Sequence, residues 1–180
     1  MSQPEYTPYK DALSNAMGQL AKLNNSIFIG QQIIYAGNPM STTLGEVPKE
    51  KMVELPVMEE TQMGMTLGIA MTDKLVISFY PRWDFIICAA NQLINHIDKY
   101  EMMTGKTAHI IIRLGKGSDK PLDPGHQHKG NYFEEFKSIC KNIEFMDLKT
   151  PIDIELSYKY ATKNKGIYVL VEYPELYYKN

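Results

Sequence analysis

The sequence contains little cysteine, and its cysteines show no pattern that would pair them or bind a metal. Cys88 and Cys140 are the two cysteines among 180 residues, each lies in a hydrophobic segment, and no CxxC spacing occurs. Such sparse cysteine is typical of reduced thiols in a cytosolic protein and disfavours a disulfide framework. We therefore expect both thiols to be free and buried.

The chain also lacks a surplus of charge of either sign and any apolar run long enough to cross a bilayer. Its formal net charge is −2 and its pI is about 6.1, with acidic and basic residues intermixed. This balance creates no field that would attract a nucleic acid or an anionic membrane. The N-terminus resembles neither a signal peptide nor a transit peptide, so we expect a cytoplasmic protein.

Internal repeats, low-complexity tracts and interdomain linkers are absent as well. With 44% hydrophobic and 22% charged residues, a chain of this length can bury roughly 70% of its unfolded surface around one core. The sequence therefore predicts a single domain over residues 1–180.

Helical and extended patterns alternate along the chain. Apolar residues at three- and four-residue spacing predict helices over residues 8–23 and 84–100. The segment 63–71, rich in Gly, Ala and Met without a β-branched run, is also predicted to be helical, as are residues 133–140 and 152–162. Short apolar runs predict buried strands over residues 26–30, 75–80, 108–114, 143–146 and 166–172. This alternation predicts an α/β fold with three layers, in which a mostly parallel sheet lies between helices.

A long loop rich in Gly and Pro follows the third predicted strand. Residues 115–130 read GKGSDKPLDPGHQHKG and carry Lys116 and the pair His126 and His128. Loops at the carboxyl ends of parallel strands are where α/β proteins bind ligands. One HxH pair without matching acidic or Cys ligands is a weak metal signal, so we expect an active-site loop and no metal held by this chain.

Several segments, taken in order, resemble a known family. They are ELPVMEETQMGMTLGIAM (54–71), FYPRWDF (79–85), HIIIRLGKG (109–117), GHQHKG (125–130) and VLVEYPELYY (169–178). They resemble the beta chains of the 2-oxoacid dehydrogenase decarboxylating component and, more broadly, the pyrimidine domains of transketolase-like thiamine diphosphate enzymes. The resemblance covers nearly the whole chain and implies the thiamine-diphosphate-binding fold in its pyrimidine module.

The resemblance assigns roles to particular residues. It places Glu59 on the catalytic glutamate, whose carboxyl group hydrogen-bonds the cofactor's pyrimidine ring. It places Phe85 on the aromatic residue that stacks on that ring, with Tyr80 and Trp83 as further cofactor-binding candidates. His128 falls on the active-site histidine, which can donate a proton or a hydrogen bond to a substrate carbonyl oxygen.

Plainer interpretations of the same residues remain open. The pair Glu59 and Glu60 is, by itself, typical of a solvated surface, and Phe85 fits an ordinary core position. Arg82 could reach an anionic substrate or form a salt bridge with Asp84 or a surface carboxylate.

Lys116 and His126 are candidate substrate contacts. The charged residues of their loop, Lys116 among them, are equally explained by solvation of that loop.

The sequence also departs from the family pattern. The family's beta chains have a C-terminal domain that we expect to be absent here. No GDG motif followed by an Asn is present, so the diphosphate and its Mg2+ would be held mainly by another chain. Gln31 and Gln32 replace an acidic pair, and Pro81 and Arg82 replace apolar or small residues.

Two functions follow from this comparison. The first is the pyrimidine-binding subunit of a split thiamine-diphosphate-dependent enzyme, which would act on a 2-oxo acid or a ketose as a lyase, a transferase or a 2-oxoacid dehydrogenase-type oxidoreductase. It would be active only with an alpha-like, diphosphate-binding partner, in a heterotetramer. The alternative is a non-catalytic binding or regulatory module that keeps the fold.

Overall fold

The computed structural model of the chain describes residues 7–35, 37–120 and 123–178. Its sheet has six strands, all parallel, in the order β2-β1-β3-β4-β6-β5. The strands are β1 Ser26–Gly30, β2 Met52–Glu54, β3 Leu75–Tyr80, β4 His109–Gly115, β5 Glu144–Asp147 and β6 Ile167–Glu172. The predicted α/β fold with a parallel sheet is confirmed.

Helices connect the strands and cover both faces of the sheet. They are α1 Pro8–Ala21, α2 Glu59–Ala70, α3 Trp83–Cys88, α4 Tyr100–Thr104, α5 Phe133–Ile139 and α6 Pro151–Lys163. A π-helical turn, Gln92–Ile97, separates α3 from α4, and short 3-10 turns lie at Pro39–Thr43, Lys49–Lys51, His126–His128 and Pro174–Leu176. No helix among the described residues is long and apolar enough to span a membrane.

The side chains of one strand supply two separate cores. In β3, Val76 and Tyr80 pack with α2, α3 and α5, whereas Leu75, Ile77 and Phe79 pack with α1 and α6. Successive side chains of a strand point to opposite faces, so a strand between two helical layers must be apolar on both. This explains the unbroken apolar run LVISFY, and it leaves the carboxyl ends of the strands to carry polar loops.

The predicted elements differ from the observed ones in three places. The helix expected over residues 84–100 is divided into α3, the π-helical turn and α4, and the helix expected from residue 63 begins at Glu59. The three-residue strand β2 was not predicted. In addition, Cys88 was expected to be buried and is exposed, because it lies on the outer side of α3. Cys140 is buried and free, and burial raises the pKa of its thiol to about 12.

Candidate functional site

Two segments that follow neighbouring strands meet at the carboxyl edge of the sheet. The residues after β3 carry Arg82 and Phe85, and the loop after β4 carries His128. The rings of Phe85 and His128 lie with their centroids 5.5 Å apart and their planes inclined by 52°. The guanidinium group of Arg82 donates a hydrogen bond through Nη1 to the main-chain carbonyl of His128, at 3.1 Å. The structure thus brings together three residues from two separate motifs, FYPRWDF and GHQHKG.

Glu59 is the first residue of α2, on the same face of the sheet as α3. Its carbonyl accepts a 3.1 Å hydrogen bond from the hydroxyl of Tyr80, at the end of β3. Glu59 is partly buried, whereas the neighbouring Glu60 is exposed and accepts a 3.0 Å hydrogen bond from Asn91. The two carboxylates of the first turn therefore lie in different surroundings, and both suit the positive end of the helix dipole.

Tyr80 and Trp83 lie beneath the site and form part of the core. Both side chains are buried. The Trp83 indole stacks on the Phe136 ring, with the ring centroids 5.6 Å apart, and contacts the Phe133 ring edge-on, with the centroids 6.5 Å apart. Burial raises the pKa of the Tyr80 hydroxyl, which stays protonated and can donate to Glu59. The Phe85 ring, in contrast, is only partly buried.

Several polar atoms at this edge are buried without a hydrogen-bond partner. Within the described residues they are Gln62 Oε1, Trp83 Nε1, Asp84 Oδ2 and His128 Nδ1. Gln62 lies one turn after Glu59, and its Nε2 donates to the carbonyl of Phe79 at 2.8 Å. Unpartnered buried polar atoms are rare in native proteins. Gln62 and Trp83 are fully buried, whereas Asp84 and His128 are partly buried. The unpartnered atoms of Asp84 and His128 therefore fit a site that polar groups of another molecule complete.

The remaining residues of the loop after β4 are placed as follows. The Lys129 amine joins Asp119 and Asp123, the second at 2.9 Å, and closes the outer part of the loop. His126 is exposed in the 3-10 turn that also holds His128. The Lys116 amine lies 4.8 Å from the centroid of the Tyr173 ring.

Arg82 has a partner that neither sequence interpretation anticipated. Among the described residues it forms no ion pair with Asp84, and its hydrogen bond goes to a main-chain carbonyl. Burial lowers the pKa of the guanidinium group, and the nearby charge of Asp84 partly offsets this. No cluster of three or more His, Cys, Asp or Glu side chains that could hold a metal ion occurs in the described part of the chain.

A second polar arrangement at this edge was not predicted from the sequence. The carboxylate of Glu54, at the end of β2, accepts hydrogen bonds from the main-chain N–H groups of Gln32, Ile33 and Ile34 at 2.6, 2.9 and 2.8 Å. Gln32 adopts the left-handed conformation, with φ of 55°. A main-chain turn that surrounds a carboxylate requires only main-chain N–H groups, which every residue except proline has. No pattern of side chains therefore predicts it.

The sequence is similar to curated proteins of known function, although no family model matches it. It is 24% identical over 156 residues to the "Pyruvate dehydrogenase E1 component subunit beta" of Staurastrum punctulatum, over 84% of this chain and 47% of the relative. The protein of the same name from Mesostigma viride is 22% identical over 173 residues, over 93% of this chain and 52% of the relative. The chain therefore spans about half the length of the curated relatives that it matches.

The fold is similar to that of a solved structure titled "Split gene transketolase, inactive beta4 tetramer". The TM-score is 0.73, and the match covers 96% of this chain and 53% of the other at 12% sequence identity. At this level of identity the likeness establishes a common fold.

Proposed function

We propose that this chain, which resembles the pyrimidine-binding domain of transketolase-like enzymes, is the pyrimidine-binding subunit of a split thiamine-diphosphate-dependent enzyme. The premise is the similarity in sequence and in fold described above. The enzyme would act on a 2-oxo acid or a ketose, by decarboxylation or by transfer of a ketol or aldehyde unit. It would be active only with a diphosphate-binding partner subunit.

The contact between Phe85 and His128 carries this proposal. These residues belong to two separate motifs of the resemblance, and their rings lie 5.5 Å apart. An aromatic ring next to an imidazole supplies one group to orient a heteroaromatic ring and one to hydrogen-bond a reacting oxygen. Glu59 contributes a carboxyl group from the start of α2, where Tyr80 holds its main chain.

The described residues fit the pyrimidine end of thiamine diphosphate. Phe85 would stack on the aminopyrimidine ring, and the carboxyl group of Glu59 would hydrogen-bond a ring nitrogen. When bound, the cofactor supplies the nucleophilic carbon and the electron sink for cleaving a carbon–carbon bond next to a carbonyl group. His128 would donate a proton or a hydrogen bond to the carbonyl oxygen of the substrate. The unpartnered buried atoms of Asp84 and His128 support a ligand at this place.

A partner subunit would supply the diphosphate site and Mg2+. Large apolar side chains are exposed on or beside the helices that carry Glu59 and Phe85, and they include Val57 at 79%, Met65 at 37% and Ile87 at 49% exposure. Exposed apolar side chains next to a functional site are typical of a surface that a partner covers. A heterotetramer with two copies of each subunit would place a pyrimidine-binding surface against each diphosphate-binding surface.

A titration of thiamine diphosphate with Mg2+ tests the proposal. The ligand is added to this chain alone and to its mixture with a chain from the same gene neighbourhood that carries a GDG motif followed by Asn. We expect tight binding only in the mixture. Turnover should be abolished in Glu59→Gln and retained in Glu60→Gln, a matched control because the two carboxylates are adjacent and only Glu60 is fully exposed. Absence of binding in the mixture would instead support a non-catalytic module.

A further inference from the structure

We infer that Arg82 is a positioning residue, which holds the main chain of the loop at His128 so that the imidazole stays against Phe85. The consequence for turnover rests on the proposed function, whereas the structural role does not. Arg82 is one of the residues at which the chain departs from the family that it resembles. The role would therefore be a property of this chain.

The hydrogen bond of Arg82 is directed at the loop and at the residue that carries the imidazole. The side chain is partly buried between the end of β3 and the start of α3, and its Nη1 lies 3.1 Å from the His128 carbonyl oxygen. A charged donor makes a stronger and more directional hydrogen bond than a neutral one. Because the acceptor belongs to the main chain, the bond fixes the backbone from which the imidazole projects.

A glycine also packs closely against the same carbonyl. A Cβ atom built on Gly117 would lie 2.4 Å from the His128 oxygen and 2.7 Å from Lys129 Cα, so only glycine fits there. Gly115 has a similar relation to the segment before Arg82, since its Cβ would lie 2.4 Å from the Pro81 oxygen. The start of the loop, its end and the residues after β3 therefore form one closely packed unit of main chain.

The main-chain packing holds the backbone of His128, whereas its imidazole ring is constrained by the contact with Phe85. Its ring is in contact with Phe85, and its Nδ1 is buried without a partner. Among the described residues, no side-chain hydrogen bond of His128 fixes the ring. Its orientation therefore depends on the position of its own backbone. Two hydrogen bonds hold that backbone: the His128 amide donates to the Gly125 carbonyl at 3.1 Å within the loop, and Arg82 ties the His128 carbonyl to the segment after β3.

The experiment measures the position of the His128 ring in the folded chain without any cofactor. The protein is labelled with 13C-histidine, and the His128 signal is assigned by its loss in His128→Gln. The wild type is then compared with Arg82→Ala and Arg82→Lys. The control is Lys106→Ala, because Lys106 is an exposed lysine outside the site. A ring this close to Phe85 is shifted by the aromatic ring current. We expect Arg82→Ala to move the His128 signals towards free histidine and to speed amide exchange around residue 128. Arg82→Lys should restore part of the effect, and Lys106→Ala should change neither.

A second readout uses the complete enzyme with its partner subunit. A displacement of about 1 Å at a reacting group can cost about 100-fold in rate, so we expect kcat to fall by up to that factor in Arg82→Ala with cofactor affinity unchanged. Unaltered His128 signals and exchange in a folded Arg82→Ala would overturn the inference. A rise in KM for an anionic substrate with unaltered His128 signals would likewise overturn it and identify Arg82 as a substrate contact. If the wild type binds no cofactor with its partner, the proposed function fails, and the NMR comparison still decides the role of Arg82.

Discussion

Arg113 and Glu172 form an ion pair that is completely buried at the carboxyl ends of β4 and β6. The guanidinium group donates to the carboxylate through Nε at 3.0 Å and Nη2 at 2.8 Å, and to the hydroxyl of Thr43 at 2.9 Å. Both side chains are 0% exposed. A buried cation that loses its anion keeps its cost of desolvation, so breaking such a pair destabilises a protein more than the intact pair stabilises it.

We predict that Glu172→Gln lowers the free energy of unfolding by about 3–5 kcal/mol, measured by urea denaturation. Asp73→Asn is the matched control, because it removes the carboxylate of an ion pair with Lys165 at the surface. The side chain of Asp73 is 90% exposed and that of Lys165 is 50% exposed. Solvent screens such pairs, so this change should be much smaller. Equal effects of the two substitutions would show that burial does not determine the strength of the Arg113 interaction.

At the level of single residues, candidate site residues could be selected from the sequence more readily than the contacts between them could be predicted. Phe85 and His128 could be selected from their motifs, and their contact is observed. The hydrogen bond from Arg82 could not be predicted, because its acceptor is a main-chain carbonyl and every residue has one. Cys88 was misassigned because an apolar pattern marks a helix more reliably than it marks which flank of the helix is covered.

Among the helices, α6 begins at a complete capping box. Thr150 Oγ1 accepts from the N–H of Asp153 at 3.2 Å, and the Asp153 carboxylate accepts from the N–H of Thr150 at 2.8 Å. We predict that Thr150→Ala lowers the free energy of unfolding by about 1 kcal/mol, because it leaves the first amides of α6 without this acceptor. Thr61→Ala, an exposed site inside α2, is the control for urea denaturation and should cause no loss. A similar loss at both positions would contradict a capping role.

Element boundaries were predictable where the sequence was locally consistent. β1 and β3 have the predicted ends, since each is a short apolar run followed by turn residues. The helix expected over residues 84–100 contains a π-helical turn, in which the Asp98 amide donates to Leu93 at 2.9 Å. The Asp98 carboxylate in turn accepts from the Asn142 amide at 2.8 Å. That contact joins distant parts of the chain, so no local pattern contains it.

The architecture of the whole molecule followed from the alternation of helical and extended patterns. Strands alternating with helices predict a parallel sheet, which the six parallel strands confirm. The strand order was not predictable, because it depends on which strand each crossover returns to. β2, with three residues, is too short for a periodic signal. The exposed side chains of Val57, Met65 and Ile87 make the surface around the site the place to test for a partner.

Gly68, on the exposed side of α2, provides the test of that surface. A Cβ atom added there would have no heavy atom within 4 Å, and the position is exposed, so the isolated chain can accommodate the side chain of Gly68→Met towards solvent. Replacing glycine in a helix should stabilise the isolated chain by up to about 1 kcal/mol. In a complex whose partner packs closely on α2, the same side chain would occupy the space of the partner's backbone. We therefore predict that Gly68→Met folds normally and fails to assemble.

The assembly is measured by light scattering of the mixed subunits, with turnover as a second readout. Gly45→Met is the matched control, because Gly45 is also exposed with no heavy atom within 4 Å of an added Cβ. Gly45 follows Leu44, which packs in the core formed with α1 and α6, and it lies away from α2. Assembly of Gly68→Met with wild-type affinity would place the partner on another surface, whereas loss in both variants would mean that added bulk alone prevents association. Loss in Gly68→Met alone would locate the partner against the helix that begins with Glu59, as the proposed binding of a cofactor between two subunits would require.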